Sequence, residues 1–219
     1  ETEEYLQSIN IEWERQEILD AYMILGGTPF YLALLKPELS LVQNIDELFF
    51  GRDPILASEY DFLFKSLFKD AALYKKVVET LASKLKGLTR DELVQILKTH
   101  NNGKLTEVLD NLIKCDFLRN YQAFGKREKG MLYQLSDMYT LFYLRFVKNY
   151  HAMDRHAWSN MPDGKRNSWA GYAFEQVCIL HTDQIKLALG ISGIACDICS
   201  WTYKDEKQGA QIDLIIDRN

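Results

Sequence analysis

Hydrophobic spacing changes period at Phe117, and that switch restricts the fold more than any other feature of the chain. Before it, apolar residues recur every three or four positions, which is helical spacing. Val77, Val78, Leu81 and Leu85 form one stripe over 71–85, and Leu105, Val108, Leu109, Leu112 and Ile113 form another over 104–115. Between them, Thr89-Arg90-Asp91-Glu92 has the pattern of a capping box. In that motif the Thr hydroxyl accepts from the N3 amide and the Glu side chain reaches back to the cap, so a further helix is predicted from there to about Lys98. His100–Gly103 reads as a tight polar turn. After the switch, 117–124 and 131–135 have strand character, joined by Gly125-Lys126-Arg127-Glu128-Lys129-Gly130.

Helix, helix, turn, helix, hairpin is the layout of a winged helix-turn-helix. In that layout 104–115 is the recognition helix and Lys126, Arg127 and Lys129 form the wing, with Lys104 at the helix start. From Lys98 to Gly130 there are seven basic residues against four acidic ones, while the whole chain carries a net charge of −5. The overall balance excludes a general polyanion binder, and the local one leaves DNA as an expected partner. Glu107, Asp110 and Asn111 are expected on the outer side of 104–115, where carboxylates repel a phosphate backbone. A protein contact is therefore favoured over sequence-specific DNA binding for this element.

Upstream, Trp13, Ile18, Leu19, Tyr22, Met23 and Leu25 predict a helix that Gly26-Gly27 stops. Thr28 is the expected cap of the next helix, with Pro29 at its first position and Lys36-Pro37 at its end. Helices are also predicted over 44–50 and 58–68. Downstream, Ser136 is expected to cap an aromatic helix over 137–149. The polar stretch 150–167, with a turn at Pro162-Asp163-Gly164, reads as a domain boundary. A helix over 169–188 and strands over 195–203 and 211–217 follow.

Glycine-rich phosphate cradles of the G-x-x-x-x-G-K-[ST] type do not occur in the 219 residues, so they are not expected to hydrolyse ATP alone. No apolar run approaches the ~18 residues of a membrane span. No leader is evident, and the four cysteines suit a reducing cytoplasm, so a cytoplasmic chain without membrane contact is expected. Cys196-x-x-Cys199 lies in a strand and lacks two further ligands at zinc spacing, so free thiols are the expected reading.

Leu25-Gly26-Gly27-Thr28-Pro29-Phe30-Tyr31-Leu32 resembles the GG-x-P-x-YL signature of prokaryotic AAA-like ATPases of the archaeal type. Tyr133-Gln134-Leu135-Ser136-Asp137-Met138-Tyr139 with Phe142–Val147 resembles a second stretch of that family, in which a strand end leads into an aromatic helix. Gly171-Tyr172-Ala173-Phe174-Glu175 is similar to the G-x-x-FE helix of its PD-(D/E)xK nuclease-like domain, and Gln211-Ile212-Asp213-Leu214-Ile215 to its E-I-D-L strand. The resemblance implies a mainly α chain with a small β part (α+β): a helical lid remnant over 1–56, a winged helix plus aromatic helix over 57–150, and a truncated α/β nuclease-like domain over 151–219. It implies that Gly26, Gly27, Thr28 and Pro29 face a nucleotide, and that Glu175 and Asp213 are catalytic carboxylates binding Mg²⁺. ATP and Mg²⁺ are expected in the parent protein, with no cofactor on this fragment alone. The expected partners are a P-loop domain, DNA and further copies of the chain.

The sequence opens without Met and stops at Asn219, before an E-x-K, so the expectation is the C-terminal part of an ATP-binding protein whose hydrolysis is coupled to a nuclease-like domain. Gln211 stands where the family often has an acid. The alternative is a winged-helix DNA-binding transcriptional regulator.

Overall fold

The computed structural model describes residues 1–100, 103–123, 131–151, 154–204 and 208–218. The chain is α+β. Its helices are α1 (Thr2–Ser8), α2 (Arg15–Leu25), α3 (Pro29–Leu32), α4 (Leu41–Phe50), α5 (Ile55–Leu67), α6 (Ala71–Ala82), α7 (Arg90–Leu97), α8 (Gly103–Lys114), α9 (Met138–Phe142), α10 (Asp163–Leu180) and α11 (Thr182–Ala188). Its strands are β1 (Leu88–Thr89), β2 (Leu118–Ala123), β3 (Leu132–Leu135), β4 (Asp197–Lys204) and β5 (Gly209–Asp217). A π-helical segment, Tyr143–Val147, continues α9. No helix among the described residues is long and apolar enough to cross a membrane.

Two compact units form, and each is built from two separate stretches of chain: Glu1–Ala71 with Asp137–Ala173, and Ala72–Ser136 with Phe174–Asn219.

The first unit is helical and its core is aromatic. Tyr139 of α9 packs against Tyr31 with ring centres 4.8 Å apart, and its hydroxyl donates to the Leu56 carbonyl at 2.8 Å. Phe142 meets Phe49 at 4.9 Å and Trp158 at 5.0 Å. Each such buried ring contributes about 1.5–3 kcal/mol of transfer free energy. Two buried polar side chains fix the loops around this core. Asn44 accepts from the Lys36 amide at 2.8 Å and donates to the Lys36, Leu39 and Ser40 carbonyls. Asp46 accepts from the Trp158 amide at 2.7 Å, the Ser159 amide at 3.2 Å and the Ser159 hydroxyl.

Several local expectations shift here. Glu14 and Glu17 form a capping box, so α2 starts at Arg15 and leaves Trp13 outside. Helix α3 ends at Leu32, because Leu34 and Leu35 bond three residues back, to the Tyr31 and Leu32 carbonyls, and tighten the chain. Asp137, rather than Ser136, caps α9 by accepting from the Thr140 amide at 2.7 Å. The Ser136 hydroxyl donates instead to the Phe117 carbonyl at 3.2 Å. Asp163 and Gly164 lie in the first turn of α10 rather than in a free turn, and Asp163 pairs with Arg166 at 2.6 Å.

The second unit contains a five-stranded mixed sheet in the order β1-β3-β2-β4-β5. Helices α6, α7 and α8 belong with β1, β3 and β2, in the order helix, strand, helix, helix, strand, strand. Thr89 and Glu92 close the expected capping box, with the Glu92 amide donating to the Thr89 hydroxyl at 3.3 Å. β2 and β3 pair antiparallel, Leu118 opposite Leu135 and Tyr121 opposite Leu132. β2 then pairs parallel with β4 through Gln122–Cys199 and Ala123–Ser200, so the two expected β regions form one sheet. β4 and β5 are antiparallel, with a register irregularity between Cys199 and Trp201. Leu85 lies beyond α6 and is exposed, although the helical stripe put it inside. The helix expected over 169–188 divides into α10 and α11 at His181.

Candidate metal and substrate site

Glu175 of α10 and Asp213 of β5 are separated by 38 residues, yet the second unit brings them into electrostatic contact. The Glu175 carboxyl is pushed above its usual range, first by burial and then by the charge of Asp213, while the Lys86 ammonium pulls it back. Asp213 is half-buried between Ile212 and Leu214, and its Oδ1 accepts from the Gln211 amide side chain on the same strand. Where an acid at position 211 would add a third negative charge, Gln211 donates a hydrogen bond.

The register irregularity around Ser200 lies opposite this segment, since Trp201 faces Ile212 and Cys199 faces Ile215. Such irregularities bend a strand and redirect its side chains. The Tyr121 hydroxyl donates to the Lys86 carbonyl at 2.6 Å and shares a hydrogen bond with the Ser200 side chain. Its pKa is raised, chiefly by burial and in part by the charge of Asp213, against lowering by Ser200 and Arg119. The Arg119 guanidinium lies 5.0 Å from the Tyr121 ring centre, a cation–π distance. The charges of Asp213 and Lys86 thus both act on Glu175, and that of Asp213 also acts on Tyr121.

Mg²⁺ is commonly held by one or two carboxylates while keeping several of its waters. Glu175 and Asp213 are hard oxygen donors whose mutual repulsion a divalent cation would relieve, so the donor set fits that ion. No group of three or more His, Cys, Asp or Glu that could hold a metal occurs among the described residues.

The Gly26–Pro29 turn lies in the first unit. Gly26 has φ +66° and ψ −168°, a conformation essentially reserved for glycine. Gly27, Thr28 and Pro29 are exposed. Near the turn, burial raises the Tyr31 hydroxyl, with the charges of Asp137 and Glu59 adding to it. Burial also raises the Glu59 carboxyl, against a hydrogen bond from Tyr31, and the Asp137 carboxyl, against its bonds to Thr140.

Lys104 is exposed at the start of α8. The wing residues Lys126, Arg127 and Lys129 lie outside the described residues. Along α8, Glu107 and Asp110 are exposed as expected, but Asn111 is not free for recognition: its side chain donates to the Tyr74 hydroxyl of α6 at 2.8 Å. Cys199 is buried in β4 and Cys196 half-buried before it; all four cysteines are free thiols.

Sequence reasoning named Glu175 and Asp213 but not Lys86 or Tyr121. Neither belongs to a recognisable motif.

No protein-family model matches this chain, and no solved structure matches it. It is similar to an uncharacterized protein of Methanocaldococcus jannaschii, MJECL04, with 29% identity over 170 residues, which cover 75% of this chain and 37% of that protein. The chain thus matches little more than a third of the length of that relative.

Proposed function

We propose that this chain is part of a prokaryotic AAA-like ATP-binding protein, and that its second unit binds a divalent cation for phosphodiester chemistry. The observation that carries the reading is that the charge of Asp213 on β5 acts on Glu175 of α10, two carboxylates from a helix and a strand distant in sequence, each only partly exposed. In the resembling nucleases the same two positions hold Mg²⁺. Bound between them, the ion would supply Lewis acidity and lower the pKa of a coordinated water. Glu175 and Asp213 would hold it, and Gln211 would keep Asp213 oriented.

ATP would bind in a P-loop domain outside these 219 residues, with the exposed Gly26–Pro29 turn as the part of this chain that reaches toward it. Similarity to a considerably longer relative agrees with a larger parent protein. A cytoplasmic setting agrees with the four free thiols. Titration calorimetry with Mn²⁺ tests the metal reading: the 219-residue chain should bind one ion, and Glu175→Gln and Asp213→Asn should each abolish most of the heat. Equal binding by all three proteins would refute it.

The second reading, a winged-helix DNA-binding regulator, has one observation in its favour, the order α6-β1-α7-α8-β2-β3 with β1 paired to β3. Against it, α8 exposes Glu107 and Asp110 alongside Lys104 and Lys114. A helix with balanced charge gains little from a phosphate backbone. A gel-shift assay at low salt separates the two, since a regulator retards duplex DNA without any divalent cation.

A further inference from the structure

One face of the sheet in the second unit carries an aromatic pair that the carboxylate site does not use. Trp201 and Tyr203 stand two residues apart on β4, and side chains at that spacing share a face. Their ring centres are 6.2 Å apart and their planes are 10° from parallel. On β5, Ile212 lies directly opposite Trp201 and Ala210 opposite Tyr203, so both join this face. Tyr203 and Ile212 are each 49% exposed, and Trp201 is half-buried. On the other side of β4, Gln122 of β2 pairs with Cys199, two residues before Trp201; Gln122 and Asn120 are both exposed. Gln211 and Asp213 alternate with Ile212 and hydrogen-bond to each other, so they point to the opposite face.

We propose that Trp201 and Tyr203 form a stacking platform for the bases of single-stranded nucleic acid, a site independent of the metal reading above. β4 is paired on both sides, with β2 and with β5, so the backbone beneath the two rings is fixed. Rings held near parallel take planar groups in a common orientation. A nucleobase is planar with a π surface on each side, and stacking on aromatic side chains tolerates any sequence because every base has that surface. A pyranose is puckered and meets an aromatic ring only through C–H bonds, so it gains less from parallel planes. The amides of Asn120 and Gln122 each carry donors and an acceptor, which match the edges of a base. None of these side chains is charged, so recognition here is by stacking rather than by phosphate. Bases in a duplex already stack on one another and hide their flat faces, which excludes double-stranded DNA from the platform.

The test uses the 219-residue chain in EDTA, with anisotropy read on a short fluorescein-labelled DNA oligonucleotide, single-stranded and as a duplex. The single strand should bind about tenfold more tightly than the duplex. Trp201→Ala and Tyr203→Ala should each weaken single-strand binding about tenfold, the loss expected for one base stack. Trp201→Phe and Tyr203→Phe keep a ring and should retain most of the affinity. Should Trp201→Ala fail to fold by circular dichroism, Tyr203→Ala decides, since its ring is already exposed. Equal affinity for single strand and duplex, or Ala variants that fold and bind as wild type does, would overturn the platform. Tryptophan quenching by a soluble cello-oligosaccharide and none by the oligonucleotide would overturn it in favour of a sugar-binding face. Glu175→Gln should bind the single strand as wild type does, so loss of the metal reading leaves this one standing.

Discussion

The Glu175 carboxyl on α10 is raised above its ordinary range by burial and by the charge of Asp213 on β5. A helix and a strand thus hold two like charges together in a fold that gains nothing from the pairing itself. Unfavourable electrostatics of this kind concentrate at functional sites.

The pH dependence of stability follows in sign. The folded state binds the Glu175 proton more tightly than the unfolded state does, so stability falls as pH rises from the ordinary value of 4.5 through the raised folded value, and is level above it. Glu175→Gln removes that component. Urea unfolding from pH 4 to 8 should show Glu175→Gln more stable than wild type at pH 7, with the difference shrinking toward pH 4. Divalent-cation affinity should weaken as pH drops through the same range.

Asp46 is a buried anchor in the first unit, accepting from the Trp158 and Ser159 amides and the Ser159 hydroxyl. Asp46→Ala leaves those donors without their acceptor. Hydrogen bonds to charged groups contribute about 1.5–3 kcal/mol each, and a destabilisation of about 3 kcal/mol is expected. Chemical denaturation followed by tryptophan fluorescence reads it directly, since Trp158 is the residue being held.

Gly87 and Gly26 both have positive φ, but their surroundings differ. At Gly26 the nearest contact for an added Cβ is the Met138 Cβ at 3.9 Å, so Gly26→Ala should cost only backbone strain, about 1–3 kcal/mol. At Gly87 the same carbon would meet the Tyr133 carbonyl oxygen at 2.6 Å, a main-chain atom that cannot rotate aside. Gly87→Ala should therefore have the lower Tm of the two, and amide exchange at β1 and β3 should speed up.

Thr89 caps α7 and also holds Glu92, whose carboxyl is lowered chiefly by hydrogen bonds from the Thr89 amide and hydroxyl. Thr89→Ala should cost about 1 kcal/mol. It should also move the Glu92 carboxyl resonance midpoint back toward its ordinary value, observable by carbon-detected NMR titration. A Glu92 midpoint unaffected by the substitution would show that the hydroxyl is not a significant part of the cap.

Features that depend on near neighbours were legible in the sequence. The Thr89–Glu92 box spans three residues, and the Val77, Val78 and Leu81 stripe follows from helical period alone. The hairpin β2–β3 and the strand bearing Asp213 were likewise readable from alternation and turn residues. Errors arose where a local signal had a competitor at a distance. Ser136 is a good capping residue, yet its hydroxyl is taken by Phe117 nineteen residues earlier, and Asp137 caps instead. Asn111 looks solvent-facing by helical phase, but Tyr74 on α6 claims its side chain.

Local chemistry in the sequence by itself determined the α+β class and most helices and strands, while the choice of Glu175 and Asp213 as the carboxylates of interest came from the resemblance. Tertiary structure alone decided that two discontinuous stretches build each unit, that β2 pairs with β4, and that the Tyr121 hydroxyl donates to the Lys86 carbonyl. The physical reason is range. Capping, periodicity and turn preference act over a few residues and leave a trace at each position, whereas a parallel strand pairing across some 77 residues (Gln122 with Cys199) is fixed by contacts between segments distant in sequence and leaves no mark on either strand.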